Sequence, residues 1–113
     1  MTTATPTLPL APRDFLILLA LVNGRAHGYA ILQSIAEESA DTVHMDPANL
    51  YRTLRRLARE GLVEEHEPDE QRRRRYELTP EGESVVAAEA RRLEQLVDVA
   101  RGKDLLAARG RGR

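Results

Sequence analysis

Hydrophobic positions fall into distinct patterns along the 113 residues. Residues 15–22 are apolar without a break, but eight residues fall far short of the ~20 that span a bilayer, so the stretch predicts a buried helix. It starts near Pro12 and stops at Asn23-Gly24. Being apolar all round, it exposes more than one domain's core would cover, which points to a subunit interface. In residues 28–38, Ile31, Leu32 and Ile35 make the stripe of a second helix. Residues 39–45 link it to a third, with a short strand expected around Thr42-Val43-His44, pairing with the hairpin described next.

Asp46-Pro47 opens the third helix: the aspartate caps a free amide, and proline suits the first helical position. Gly61 closes it, because the C′ position favours a residue that tolerates a left-handed backbone. At ~100° per residue, Leu50, Leu54, Leu57 and Gly61 share one side, with Tyr51 and Ala58 on its flank. The period then changes to two. Residues 62–67 predict a first strand, Pro68-Asp69-Glu70-Gln71 a turn, and residues 72–78 a return strand with Arg74, Tyr76 and Leu78 on one face. Thr79-Pro80 caps a last helix, where Val86, Ala90, Leu93, Val97 and Ala100 are spaced 4, 3, 4, 3 as in the seam of a coiled coil.

Charge adds direction to this pattern. Arg52, Arg55, Arg56 and Arg59 lie opposite the leucine side of the third helix with Asn49 beside them, and Glu60 is the only carboxylate in residues 47–60. A charged helix face is commonly just solvated. Here a hairpin follows at once with Arg72, Arg73, Arg74 and Arg75 in a row, which is the order of a winged helix-turn-helix: one helix for the major groove, and a wing for the backbone or minor groove. The expected fold is therefore mainly α with a small β-hairpin. Residues 1–12 form a disordered arm, 13–79 the winged helix-turn-helix, 80–102 a C-terminal dimerisation helix and 103–113 a basic flexible tail.

Composition narrows the function further. The chain has no cysteine, which excludes disulfides and thiolate metal sites. A net charge of −1 argues against a generic polyanion binder, so any nucleic-acid role rests on uneven distribution. That distribution is uneven: residues 1–46 hold two basic and five acidic side chains. Enzymatic constellations are lacking. His27, His44 and His66 are scattered, and there is neither a zinc-protease motif nor a glycine-rich phosphate loop. In Glu65-His66-Glu67 the histidine points away from both glutamates on a strand, so no metal or cofactor is expected.

These residues resemble the PadR-type winged-helix transcriptional regulators. LILLALVNGRAHGYAILQSIAEES, with His27-Gly28-Tyr29, resembles the family's first two helices, and ANLYRTLRRLAREGLVEE its recognition helix. RRRRYELTPEG resembles its wing and the threonine-capped start of the C-terminal helix. Arg52 stands where many relatives have proline, and many have a longer C-terminal region. The resemblance implies a cytoplasmic homodimeric repressor on double-stranded DNA, with a pseudo-palindromic operator and often a small-molecule effector. DNA contact falls to Asn49, Arg52, Thr53, Arg55, Arg56 and Arg59 on the helix, with Arg52 and Arg56 as base readers, and to Arg72, Arg73, Arg74 and Arg75 on the wing. Dimer contact falls to Phe15, Leu16, Leu19, Val86, Ala90, Leu93, Val97 and Ala100, and an effector pocket would be lined from Phe15, Leu16, Leu19, Leu93 and Leu96. The rival is a winged-helix module that binds protein, recruiting a basic partner through Glu60, Glu64, Glu65, Glu67, Asp69 and Glu70.

Overall fold

The computed structural model describes residues 8–107. In chain order its elements are α1 (Pro12–Ala20), β1 (Ala26–His27), α2 (Gly28–Glu38), α3 (Pro47–Arg59), β2 (Val63–Glu65), β3 (Arg75–Leu78) and α4 (Pro80–Gly102). The leucine side of α3 is buried, with Leu50, Leu54 and Leu57 at 1% exposure or less. It packs on α2, whose Ile31 and Ile35 are fully covered, and α2 in turn packs on Ile17 and Leu18 of α1. Tyr76 and Leu78 bring the central strand down onto this core from the wing side.

Local chemistry sets the helix ends as expected. The Asp46 carboxylate accepts the Asn49 amide at 2.8 Å, and Gly61 adopts φ 81° just past α3. Thr79 joins two elements at once. Its Oγ1 accepts the Gly82 amide at 2.9 Å, capping α4, and donates to the Gly61 carbonyl at 2.6 Å, while its own amide donates to Leu62. The end of α3 is thereby stitched to the start of α4, and Gly82 is buried against the Leu62 carbonyl.

Several expectations are corrected. Residues 42–44 form no strand; the third strand is β1, giving the order β1-β3-β2 with Ala26 opposite Tyr76 and His27 opposite Arg75. The reason is the sharp turn after α2, where Ala40 and Asp41 both have positive φ and Ser39 bonds Val43, leaving that backbone engaged locally. The wing ladder is also shorter than expected, so Arg72, Arg73 and Arg74 lie in the loop and only Arg75 in the strand. Residues 8–11 are not a free arm: Leu10 is buried and its amide donates to Glu89, while Pro12 already belongs to α1. The rest of the proposed arm, residues 1–7, lies outside the described residues. In the tail, residues 103–107 fold back, with Leu105 donating to the Ala100 carbonyl and Arg101 to that of Ala107; residues 108–113 lie outside the described residues.

The α4 seam is split between two uses. Its 23 residues span about 34 Å at 1.5 Å per residue, and its buried residues, Gly82, Val85, Val86 and Glu89, all lie in the N-terminal half. Val86 is therefore core of its own domain rather than free interface, whereas Leu96, Val97 and Val99 are exposed. Glu89 is covered because Arg92 binds it at 2.7 and 2.8 Å. That pairing, aided by the Leu10 amide, holds its carboxyl below the usual range against the opposing effect of burial.

The stitch at Gly82 predicts an intolerance. A Cβ there would sit 2.1 Å from the Leu62 carbonyl oxygen, so Gly82→Ala should lower unfolding free energy in urea by about 1–3 kcal/mol. Gly102→Ala, whose added methyl would meet nothing within 4 Å, should be neutral or stabilise by up to about 1 kcal/mol. Equal effects of the two changes would show that the Leu62 approach is not the constraint.

Candidate nucleic-acid interface

The N-terminal turn of α3 orders its own polar residues. Asp46 accepts both the backbone and the side-chain nitrogen of Asn49, and the Asn49 oxygen accepts Arg52. Arg52 and Asn49 are thus presented together. Arg52, Arg55 and Arg59 are exposed, while Asn49 and Thr53 are half-buried beside them. Among the described residues, no carboxylate stands within salt-bridge distance of Arg55, Arg59 or Arg72.

Arg56 has a different place from the one its spacing suggested. Its guanidinium donates to both oxygens of Asp14 at 2.9 Å and reaches Glu60 at 3.3 Å, tying α3 to α1. Burial works against its charge, but Asp14 and Glu60 outweigh it and hold the pKa above the ordinary arginine value. At 100° per residue, Arg56 sits nearer the leucine side than Arg52 or Arg59 does, and Asp14 comes from a helix 42 residues away in sequence. Where the sequence pattern offered Arg56 as a base reader, the structure shows its guanidinium engaged as a tie between helices.

Facing α3 across a cleft of about 720 Å³ is the wing. The lining includes Arg55 from α3, Arg72, Arg73 and Arg74 from the wing loop, and Glu65 as the carboxylate among them. Its floor holds residues that sequence reasoning left out of the site, His27, Gly28, Tyr51 and Tyr76, and the exposed Tyr29 also lines it. The signal was present in His27-Gly28-Tyr29, read only as a helix opening. Tyr51 and Tyr76 lie with ring centres 6.4 Å apart. Burial, with Glu65 and Tyr51 nearby, pushes the Tyr76 hydroxyl up to about 12, so it stays protonated in the cleft wall. Gly28 lets the tyrosine approach closely, since a Cβ there would fall 2.3 Å from the Tyr51 hydroxyl and push the ring aside.

The wing loop is ordered by one carboxylate. Asp69 Oδ1 accepts the amides of Gln71 and Arg73, both at 2.9 Å, while Oδ2 accepts Arg73 Nε at 3.2 Å and His27 Nε2 at 3.0 Å. The Arg73 amide above all, then His27, the Gln71 amide and the Arg73 charge, draw the Asp69 carboxyl down to about 2 against its partial burial. Arg74 is paired with Glu65. On the outer face of the sheet His66 Nε2 donates to Glu77 at 2.8 Å, and Arg25 approaches the same oxygen at 3.3 Å. His66 shares its side with Glu64 and Glu77, not with its sequence neighbours, and the ligand atoms of the three lie within 4.8 Å of one another.

The apolar residues assigned to an interface divide as α4 does. Phe15, Leu16, Leu19 and Leu93 are half-buried within the protomer, while Ala90 and Val97 are exposed and Ala100 is partly covered. Phe15, Leu16 and Leu93 line a pocket of about 170 Å³ with Leu10, Pro12, Glu89 and Arg92; Leu19 and Leu96 lie outside it. Among the described residues no helix is long and apolar enough to cross a membrane.

Three helices, the third arginine-faced and followed at once by an arginine-tipped hairpin, define a winged helix-turn-helix protein. Residues 17–88 match the PadR-like family of transcriptional regulators, and the chain belongs to that family. In fold it is similar to a PadR family transcription regulator from Clostridium difficile, with TM-score 0.71 and 23% identity over 81% of this chain and 97% of that one. It is also similar to Bacillus subtilis PadR in complex with operator DNA, with TM-score 0.61 and 23% identity over 71% of this chain and 46% of that one. In sequence it is 37% identical over 83 residues, 74% of its length, to an uncharacterized 37.1 kDa protein in transposon TN4556 of Streptomyces fradiae. The chain spans 23% of that curated relative.

The Arg56 tie yields a separation of roles that equilibrium unfolding can check. Arg56→Ala should cost about 1–2 kcal/mol by stranding the buried Asp14, and much of that loss should return in the Asp14→Asn, Arg56→Ala double variant. Arg52→Ala and Arg55→Ala, at exposed sites, should stay within about 0.5 kcal/mol of wild type. If Arg56→Ala is as silent as the other two, the guanidinium is not holding α1 to α3.

Proposed function

We propose that the chain is a sequence-specific DNA-binding transcriptional regulator, acting in the cytoplasm as a homodimeric repressor and not as an enzyme. One observation carries this reading: Arg55 of α3 and Arg72, Arg73 and Arg74 of the wing loop line a common cleft although the chain as a whole is slightly acidic. Such a face neutralises phosphates locally, and Arg52 with Asn49 has donors and an acceptor suited to base edges. Arg55 and Arg59 extend the face along α3, and Thr53 adds a hydroxyl beside it. Arg72, Arg73, Arg74 and Arg75 serve the backbone or the minor groove. That B. subtilis PadR was solved with operator DNA supports DNA as the partner here. Half of the acidic set that would recruit a basic protein is engaged at home, since Glu60 pairs with Arg56, Glu65 with Arg74 and Asp69 with Arg73.

Dimerisation follows from the unused half of α4. Leu96, Val97 and Val99 are exposed apolar side chains on a helix that outruns its own domain, and a second copy would cover them and supply a second arginine face. Two such faces related by a twofold axis suit a pseudo-palindromic operator. The 170 Å³ pocket between α1 and α4 is close in size to the ~150 Å³ that accommodates a benzene ring, so a small-molecule effector there would act where α4 meets the winged domain.

Binding to the DNA upstream of its own gene should be sequence-preferring and steeply weaker at higher salt. Exchanging Arg73 and Arg74 for glutamine should flatten the plot of log K against log salt by about one unit for each phosphate that is no longer neutralised. Absence of binding at low salt would defeat the regulator reading. For assembly, Leu96→Asp with Val97→Asp should give a monomer in analytical ultracentrifugation with the winged core still folded, because both side chains are exposed in the protomer. A dimer that persists would place the interface elsewhere.

A further inference from the structure

The arginine-bearing wing loop lies beyond the paired part of its hairpin, and something must set its distance from α3. Beyond the bond from the His66 amide to the Arg75 carbonyl, the wing loop leaves the ladder, and Arg72 takes a positive φ of 65° without being glycine. Asp69 holds that loop together through the Gln71 and Arg73 amides, and its Oδ2 reaches out of the loop to His27, 42 residues earlier in the chain. A carboxylate drawn down to about 2 can only accept, so His27 Nε2 is the donor. His27 is itself fixed, since its backbone pairs with Arg75 in the sheet. The next residue, Gly28, abuts the Tyr51 hydroxyl of α3 so closely that a methyl group there would displace the tyrosine.

We infer that His27 and Asp69 form a latch that positions the wing arginines against the recognition helix, the contact order being Tyr51, Gly28, His27, Asp69 and then the Gln71 and Arg73 amides. This rests on the DNA-binding reading above and deepens it by assigning positioning residues that touch no base. It also accounts for an acid in an arginine loop that faces a polyanion. The carboxylate opposes phosphate electrostatically, but it spares the loop the ordering cost that a mobile wing would meet on binding.

The test uses the full chain and a fluorescein-labelled duplex of the DNA upstream of its own coding region, read by anisotropy over a salt series, with amide exchange of the free protein alongside. His27→Ala should weaken binding by about tenfold, the scale of one charge-assisted hydrogen bond, and leave the salt slope unchanged because the same phosphates are met once the wing is seated. Arg73→Gln, by contrast, should lower the slope. Exchange in His27→Ala should quicken at Gln71 and Arg73 while core amides keep their protection. His27→Gln, which keeps a donor, should recover most of the affinity, and Asp69→Ala, which removes the acceptor of both loop amides, should quicken exchange at Gln71 and Arg73 at least as much as His27→Ala does. The latch is overturned by a His27→Ala protein that binds as wild type does, by a slope that drops as for Arg73→Gln, or by exchange that quickens throughout the core. A wild-type chain that fails to bind the duplex at low salt instead sinks the regulator reading, and the exchange pattern then decides by itself whether His27 orders the loop.

Discussion

Burial of one side of α3 is the constraint on which the site depends. Leu50, Leu54 and Leu57 recur at the helical period, so once they are covered by α2 the rotation of the helix is settled, and Arg52, Arg55 and Arg59 are turned outward. Nothing about the arginines themselves is needed to orient them. Burying three leucines contributes roughly 1.5–3 kcal/mol each, far more than any surface ion pair in the arginine face. The stitch from Gly61 and Leu62 to Thr79 and Gly82 then places the wing at the far end of the same helix, with Tyr76 and Leu78 anchoring its central strand in the core.

Carboxylates serve two purposes around that helix. Asp14 and Glu60 hold Arg56 between α1 and α3, so a side chain on the edge of the arginine face serves the fold. Asp69 and Glu65 engage Arg73 and Arg74 at the wing. The near-neutral total charge thus coexists with a local surface on which Arg55, Arg59 and Arg72 have no ion-pair partner among the described residues. Neutrality also limits indiscriminate attraction to polyanions, so affinity has to come from the correct placement of a few cations.

The long helix α4 shows how one apolar repeat can serve two surfaces. Its first turns complete the winged core through Val85 and Val86, and Glu89 is tolerated there because Arg92 and the Leu10 amide compensate its burial. Its last turns extend past the domain and leave Leu96, Val97 and Val99 uncovered. The change of surroundings along the helix, not a change in the sequence repeat, divides the two.

Much of this was legible in the residues alone. The four helices, the caps of the last two at Asp46 and Thr79, the stop at Gly61 and the presence of an arginine-tipped hairpin follow from period, capping chemistry and turn residues, all of which act over a few positions. The third strand was not legible, because Ala26 and His27 carry no period and become a strand only by meeting Tyr76 and Arg75. Arg56 looked like its neighbours until Asp14 arrived from another helix, and Leu10 looked like part of a loose arm until α4 gave it a wall. The floor of the cleft, made by His27, Gly28, Tyr51 and Tyr76, likewise exists only where three segments converge. Local periodicity determined which elements form and which side of each is buried; long-range packing decided which polar side chains stay free for a ligand, because a charge is claimed by whatever opposite charge the fold brings nearest.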